Sequence, residues 1–349
     1  MNLGVVVADG PWRFFNEIYA EFQKRYTVSL FERRRVQTPF FYTRVNRYLF
    51  KHDLNTFLSR QDVVFFEWAS RLLVEATKLP KKTRLITRLH RFEMYEWADQ
   101  VDWNKLDRII LVSRAMQKKF AERFPENAHK TVVLSVGIDT SRFTREDKQF
   151  SGDIGTLCYL SPRKRVYELI LAFAELNKRR KGFHLHIGGG GNKFEDYNEA
   201  LESLVHKLRL QDKVTFYGNV ASPADWYRNI DIFVSNSFSE GLQVAAMEAM
   251  ASGCYTLSHY WDGADELLPK SHLYLTDSEL QDKILEYSEQ SDAARQVEQE
   301  KMRERARNCF DMEQINEQIL DLVEDISQME VRSTIAANEM LGGNRLRQG

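Results

Sequence analysis

Two carboxylates, Glu240 and Glu248, frame a stretch of the chain in which little else is charged. Glu248 is the only charged side chain between Gly241 and Trp261. The residues from Gln243 to Ala251 are strong helix formers, and Gly253 follows where a helix would end. A helix this apolar on every side belongs in a protein interior, where an ionised Glu248 costs several kcal/mol unless something hydrogen-bonds it. The residue therefore calls for a partner bearing hydroxyl or N–H groups. A carboxylate that caps a neighbouring loop would meet the same need.

Spacing narrows the chemistry. Eight residues of helix rise roughly 12 Å, beyond the roughly 5 to 9.5 Å that separates glycosidase acid and base pairs. Glu240 and Glu248 are better placed to hold two ends of one long ligand. Gly241 and Leu242 lie between them at the expected helix N-terminus, where free backbone N–H groups favour a phosphate. Sugar at one end, phosphates in the middle and ribose at the other make a nucleotide sugar.

The elements around this pair follow from periodicity. The runs 230–234 and 254–257 are short, apolar and β-branched, so the unit reads strand, loop, helix, strand. Glu, seven residues, Glu, then Ala249-Met250-Ala251-Ser252-Gly253, resembles the signature of the retaining family 4 glycosyltransferases; Asp262-Gly263 and Glu266 resemble its continuation. The resemblance implies an α/β chain of GT-B type, with two Rossmann-like domains whose parallel sheets face a central cleft. It is strong over 154–269 and thin before residue 84.

Composition sets the frame for two domains. The 349 residues are 43% hydrophobic and 28% charged, as in a globular protein with two ordinary cores. Residues 3–8 are too short for a signal peptide, and no apolar run reaches the roughly 20 residues of a spanning helix. Cys158, Cys254 and Cys309 are odd in number and scattered, which reads as reduced thiols in a cytoplasmic protein without a cysteine metal site. The net charge of −1 hides 27 basic and 18 acidic side chains in residues 1–150 against 22 and 32 in the rest. A basic front half suits an anionic partner; no nucleic-acid motif accompanies it.

In the first half, strand-like runs at 3–7, 27–31, 63–66, 84–87, 109–112 and 131–134 alternate with helical segments, the pattern of a parallel sheet. Ligands of such sheets bind beyond the carboxyl ends of the strands. Those ends carry Asp9-Gly10, Glu67-Trp68, His90 and Ser113. The resemblance places His90 against the donor sugar, although a lone histidine is more often structural. Glu93, Tyr95 and Trp97 are candidates for an acceptor groove or for the core. Asp9 could contact the acceptor or form a turn. Gly10 permits close approach to the donor, and Pro11 stiffens a loop in which relatives carry two glycines. Residues 33–52 hold Arg33, Arg34, Arg35, Arg44, Arg47 and Lys51 among Phe40, Phe41, Tyr42, Tyr48, Leu49 and Phe50. That mixture suits the surface of an anionic membrane, or a solvated helix with its aromatics turned inward.

A polar segment, 139–151, reads as the hinge into a second alternation. Arg163-Lys164-Arg165 opens a helix there as a candidate diphosphate clamp. Relatives have Arg where Tyr159 stands and Gly where Arg165 stands; Lys164 is retained, so it is the expected phosphate ligand, with Arg163 and Arg165 both open as the missing cation. Gly188-Gly189-Gly190-Gly191 lacks a dinucleotide fingerprint. Lys213 to Val220 resembles the segment near the nucleotide base, which makes Val220 a donor-site candidate through its backbone.

The expected layout is thus an acceptor domain over 1–150, a donor domain over 151–310, a helix over 311–331 crossing back to the first domain, and a disordered tail over 332–349. The expected activity is retaining glycosyl transfer from a nucleotide sugar, UDP-linked as a first guess, to a glycan or lipid-linked acceptor in bacterial surface glycoconjugate synthesis. The resemblance implies no metal or other cofactor. An inactive nucleotide-sugar-binding scaffold and a same-fold epimerase are the alternatives.

Overall fold

The computed structural model describes residues 1–343 apart from 8–11, 13–14, 38–39 and 145–148; for Asn192 and 329–343 it gives the backbone only. The chain folds as two units, one comprising Met1–Leu134 and the C-terminal segment from Gln314, the other Ser135–Glu313.

The first unit is built on six strands: β1 (Asn2–Val7), β2 (Thr27–Leu30), β3 (Val63–Glu67), β4 (Arg84–Leu89), β5 (Arg108–Leu111) and β6 (Thr131–Val133). Their order is β2-β1-β3-β4-β5-β6 and every pairing is parallel. The centre of the sheet is buried on both faces, which is why Val63 to Phe66 runs apolar without alternation. One face is covered by helix Phe15–Arg25 through Phe15, Ile18 and Phe22. The same cluster takes Ile315, Ile319, Leu320, Val323 and Ile326 from the final helix. Residues at three- and four-residue spacing form one stripe on a helix, and burying each contributes at most about 1.5–3 kcal/mol.

That final helix runs Met312–Gly343, past residue 331 where the sequence reading ended it. The reason is local. Thr334 to Leu341 contains no proline or glycine and several strong helix formers, so nothing stops the helix before Gly342-Gly343.

The second unit repeats the plan with β7 (Asp153–Leu157), β8 (His184–Gly188), β9 (Val214–Gly218), β10 (Ile232–Ser235), β11 (Tyr255–His259) and β12 (Leu273–Tyr274). The order is β12-β11-β10-β7-β8-β9, again all parallel. Strand order reverses between β7 and β10, so the loops leaving these two neighbours diverge and open a crevice at their carboxyl ends. In the first sheet the reversal falls between β1 and β3.

The segment read as a hinge does not behave as one throughout. Ile138 pairs with Asp311, its N–H bonding Phe310 O at 2.9 Å while its carbonyl accepts from Met312 N at 2.9 Å. Phe143 packs against the core of the second unit. Ile138, immediately before that stretch, and Phe143 within it are enough to anchor it, because each buries apolar surface only by docking.

Candidate active site

The carboxyl ends of β7 and β10 bring together residues 76 positions apart. After β7, Pro162–Lys164 forms one 3-10 turn, and Arg165 takes a left-handed conformation (φ 51°) before helix Val166–Arg179 begins. After β10, Glu240 reaches back to this turn. Its Oε1 lies 2.5 Å from Lys164 Nζ and its Oε2 lies 2.6 Å from Arg163 Nη1, with the carboxylate side chain 8% exposed. Burial raises the Glu240 pKa, but Lys164 and Arg163 outweigh it and hold the group below the usual carboxylate range. Arg163 also donates to Ser239 O at 2.6 Å. The three side chains together carry one net positive charge, and Lys164 keeps donors beyond the one Glu240 uses.

Arg165 is turned to other work. Its carbonyl accepts from Asn236 Nδ2 at 2.9 Å, and Asn236 in turn accepts from the Tyr274 hydroxyl at 2.8 Å. Of the two arginines flanking Lys164, Arg163 is the one whose guanidinium pairs with Glu240.

Helix Val244–Ala251 starts just after Gly241 and Leu242, whose backbone belongs to the loop entering it. Leu242 packs against the surrounding core. Glu248, on the helix, is pushed up to about 7 by burial, and its hydrogen bond from Tyr227 and the nearby Arg142 only partly offset this. The Tyr227 hydroxyl lies 3.2 Å from Glu248 Oε2 and 2.9 Å from Ala245 O, so one proton serves two acceptors. Neither Tyr227 nor Arg142 was among the expected site residues. Each is remote in sequence from Glu248, and only the close packing of helices Pro223–Arg228 and Val244–Ala251 reveals the first.

The four glycines after β8 are explained by crowding. A Cβ on Gly189 (φ 112°) would stand 1.8 Å from Cys158 O, and one on Gly191 would stand 2.7 Å from the Tyr159 ring. Tyr159 packs there and its hydroxyl accepts from Lys193 N at 3.3 Å. Val220 lies half-buried against Gly188 at the same rim.

The first unit presents a second polar cluster. Glu67 ends β3 and is fully buried; Arg88 and His90, from β4 and the residue after it, both reach its carboxylate. His90 stands at the N-cap position of helix Arg91–Glu96 without a side-chain capping bond, and on that helix Glu93 is buried while Phe92 and Tyr95 are exposed. Trp97 is half-buried. The Glu93 carboxyl is raised by its burial, with His90 pulling it partly back. Asp9 and Gly10 lie outside the described residues. Sequence reasoning found Glu67 as a strand end but not Arg88, because an arginine inside a strand gives no sign of which carboxylate it will meet.

These features place the chain among known proteins. Residues 152–290, all within the second unit, match the family described as glycosyl transferases group 1. The two parallel six-stranded sheets make the whole a two-domain α/β protein of GT-B fold. Among curated relatives, the GDP-mannose-dependent alpha-(1-6)-phosphatidylinositol monomannoside mannosyltransferase of Mycobacterium tuberculosis is 28% identical over 260 residues, 64% of this chain and 62% of that protein. The mannosylfructose-phosphate synthase of Agrobacterium fabrum is 28% identical over 156 residues, 43% and 34% respectively. The chain thus spans from about a third to under two thirds of these relatives. Among solved structures, HepE of Anabaena, in complex with UDP and glucose, superposes with a TM-score of 0.76 at 18% identity, covering 93% of this chain and 100% of that one. Sucrose-phosphate synthase of Thermosynechococcus elongatus gives 0.71 at 16% identity, covering 97% and 100%.

Proposed function

We propose that the protein is a retaining glycosyltransferase that moves a sugar from a nucleotide-sugar donor to a glycan or lipid-linked acceptor. The observation that carries this reading is Glu240, a buried carboxylate kept ionised between Lys164 and Arg163 at the reversal point of the second sheet. In the proposal Glu240 receives the donor sugar's hydroxyls, Lys164 and Arg163 with the loop N–H groups of Gly241 and Leu242 receive the diphosphate, and Glu248 receives the ribose. Val220 borders the base. The first unit supplies the acceptor-binding residues, Glu93 among them, and His90 for the sugar.

As the bond between the sugar and the phosphate oxygen breaks, negative charge grows on the leaving diphosphate, and fixed cations stabilise it without reorganising. The acceptor hydroxyl forms the new bond on the same face, and its proton passes to the leaving phosphate. Lys164 and Arg163 supply the positive charge in this scheme, with no resident metal assigned a role. One of the two relatives above is named as GDP-mannose-dependent and the other as a mannosylfructose-phosphate synthase, and HepE was solved with UDP and glucose. UDP- and GDP-sugars are accordingly the first donors to test.

The surface of helix Tyr42–Leu58 supports a place at an anionic bilayer during synthesis of bacterial surface glycoconjugates. Phe40, Phe41, Tyr42 and Tyr48 are exposed while Phe50 and Leu54 face the core. Arg44, Arg47 and Lys51 are exposed on the same segment. Among the described residues no helix is long and apolar enough to cross a membrane.

One feature favours a binding scaffold instead: Tyr159, at a position where the resemblance implies arginine, is engaged by the glycine turn. A melting-temperature screen against UDP-, GDP-, ADP- and dTDP-sugars identifies the donor, because a ligand specific to the folded state raises its stability. Transfer or hydrolysis of that donor is then compared between the wild type and Glu240→Gln. Binding without turnover in the wild type selects the scaffold; turnover that survives Glu240→Gln removes Glu240 from the assignment.

A further inference from the structure

Glu67 is the residue around which the first-unit cluster is built. Arg88 approaches it edge-on, its Nε 3.0 Å from each carboxylate oxygen and its Nη2 3.0 Å from Oε2. His90 Nε2 lies 3.1 Å from Oε1. Burial alone would push the Glu67 carboxyl up, yet Arg88 first and His90 after it hold it below its ordinary range. An ionised carboxylate only accepts hydrogen bonds, so the imidazole nitrogen that meets it must be the one carrying the proton.

We propose that Glu67 is a positioning residue: it fixes neutral His90 as the Nε2–H tautomer and thereby makes Nδ1 the accepting nitrogen of the ring. The consequence for catalysis rests on the assignment of His90 to the sugar made above. The ring would then receive a hydroxyl's hydrogen through Nδ1 rather than donate one.

Three further observations fit a built arrangement rather than an ion pair that happens to touch a histidine. The Arg88–Glu67 pair already answers the carboxylate's charge, so His90 is an addition to it. Trp68, next to Glu67, adopts φ 65°, a left-handed conformation unusual for a bulky residue and typical of strain kept at working sites. That turn sets the Trp68 ring 6.2 Å from the His90 ring. Glu93, three residues after His90, is 6% exposed, and among the described residues its buried Oε2 has no hydrogen-bond partner. His90 is thus bordered by an ionised carboxylate with its arginine, an indole, and a second carboxyl.

The test reads the tautomer directly. Full-length protein labelled with 15N-histidine is recorded by long-range proton–nitrogen correlation near pH 8.5, with His90→Gln identifying the His90 signals. The expected pattern is one protonated Nε2 and one bare Nδ1, replaced in Glu67→Gln by a tautomer-averaged pattern. An Nδ1–H or averaged pattern in the wild type, or an unchanged one in Glu67→Gln, overturns the proposal. Should Glu67→Gln not fold, the wild-type spectrum still decides. In turnover, Glu67→Gln is expected to lower kcat at least tenfold with donor KM changed less than threefold; a change confined to KM or to melting temperature would make Glu67 merely structural. The spectrum requires no glycosyl transfer, so a protein that shows the Nε2–H tautomer yet transfers nothing refutes the enzymatic reading alone.

Discussion

Glu248 gives the donor-site assignment a pH signature. Burial raises its carboxyl to about 7, with the Tyr227 hydrogen bond and Arg142 only partly compensating. A carboxyl raised in the folded state binds its proton more tightly there than in the unfolded chain. Its stabilising contribution is complete below the unfolded value of 4.5 and is lost as pH rises through about 7. At 1.36 kcal/mol per pH unit this costs the unliganded fold up to about 3 kcal/mol by neutral pH. Ribose hydroxyls donating to Glu248 favour the ionised form and return its pKa toward the ordinary range. Donor binding must then expel a proton at pH 6 and none at pH 8, so affinity should rise about tenfold, or about 1.4 kcal/mol, over that interval. A nucleotide sugar suits the assay better than a free nucleoside diphosphate, whose terminal phosphate titrates nearby. Calorimetric titration of UDP-glucose or GDP-mannose at pH 6, 7 and 8, in two buffers of different ionisation enthalpy, measures both affinity and proton release. Glu248→Gln should bind with a flat pH profile. An affinity independent of pH in the wild type, or a slope that persists in Glu248→Gln, refutes the ribose role of Glu248.

Other outcomes follow from the same geometry. Tyr227→Phe removes a hydroxyl that both Glu248 and Ala245 accept, so it should raise the Glu248 pKa further, shift the affinity profile to higher pH and lower stability by about 1 kcal/mol in denaturant titration. Gly189→Ala places a methyl group 1.8 Å from a carbonyl oxygen at φ 112°, whereas at Gly182 (φ 100°) a methyl group meets nothing within 4 Å; the first should cost several kcal/mol and the second about 1 kcal/mol, and equal losses would show that the glycine turn yields. Phe40→Ser with Phe41→Ser should abolish co-sedimentation with vesicles rich in anionic lipid while leaving the melting temperature unchanged, since both rings are exposed; retained co-sedimentation removes this surface from the membrane reading.

The sheet and helix alternation was legible because each parallel strand announces itself as a short apolar run, and Glu240 and Glu248 stood out because their signature lies within one supersecondary unit. What stayed hidden is what the sheet order creates. Lys164 and Glu240 are 76 residues apart and meet because β7 and β10 are neighbours with diverging loops. That Arg163 rather than Arg165 would pair with Glu240 was unreadable for a related reason: Arg163 lies within the turn Pro162–Lys164, whereas Arg165, two residues on and chemically identical, takes a left-handed conformation at its end. The sequence shows three cations in a row, but only backbone dihedrals decide which of them faces the carboxylate.

The same logic explains the first-unit cluster. Glu67 and His90 were both visible as strand-end residues, yet their meeting depends on the β3–β4 register, which sets Glu67 opposite Arg88 and leaves His90 one step beyond the strand. A shift of that register by one residue would exchange Arg88 for Thr87 and turn the arginine to the other face of the sheet. The register is fixed by apolar residues such as Val63, Phe65, Leu85 and Ile86, which are fully or almost fully buried. The chemistry at the strand ends is therefore positioned by residues that have no chemistry of their own. A volume change such as Phe65→Ala should disturb His90 as much as it lowers stability. Histidine ring shifts recorded on the folded fraction of that variant would show whether the two effects travel together.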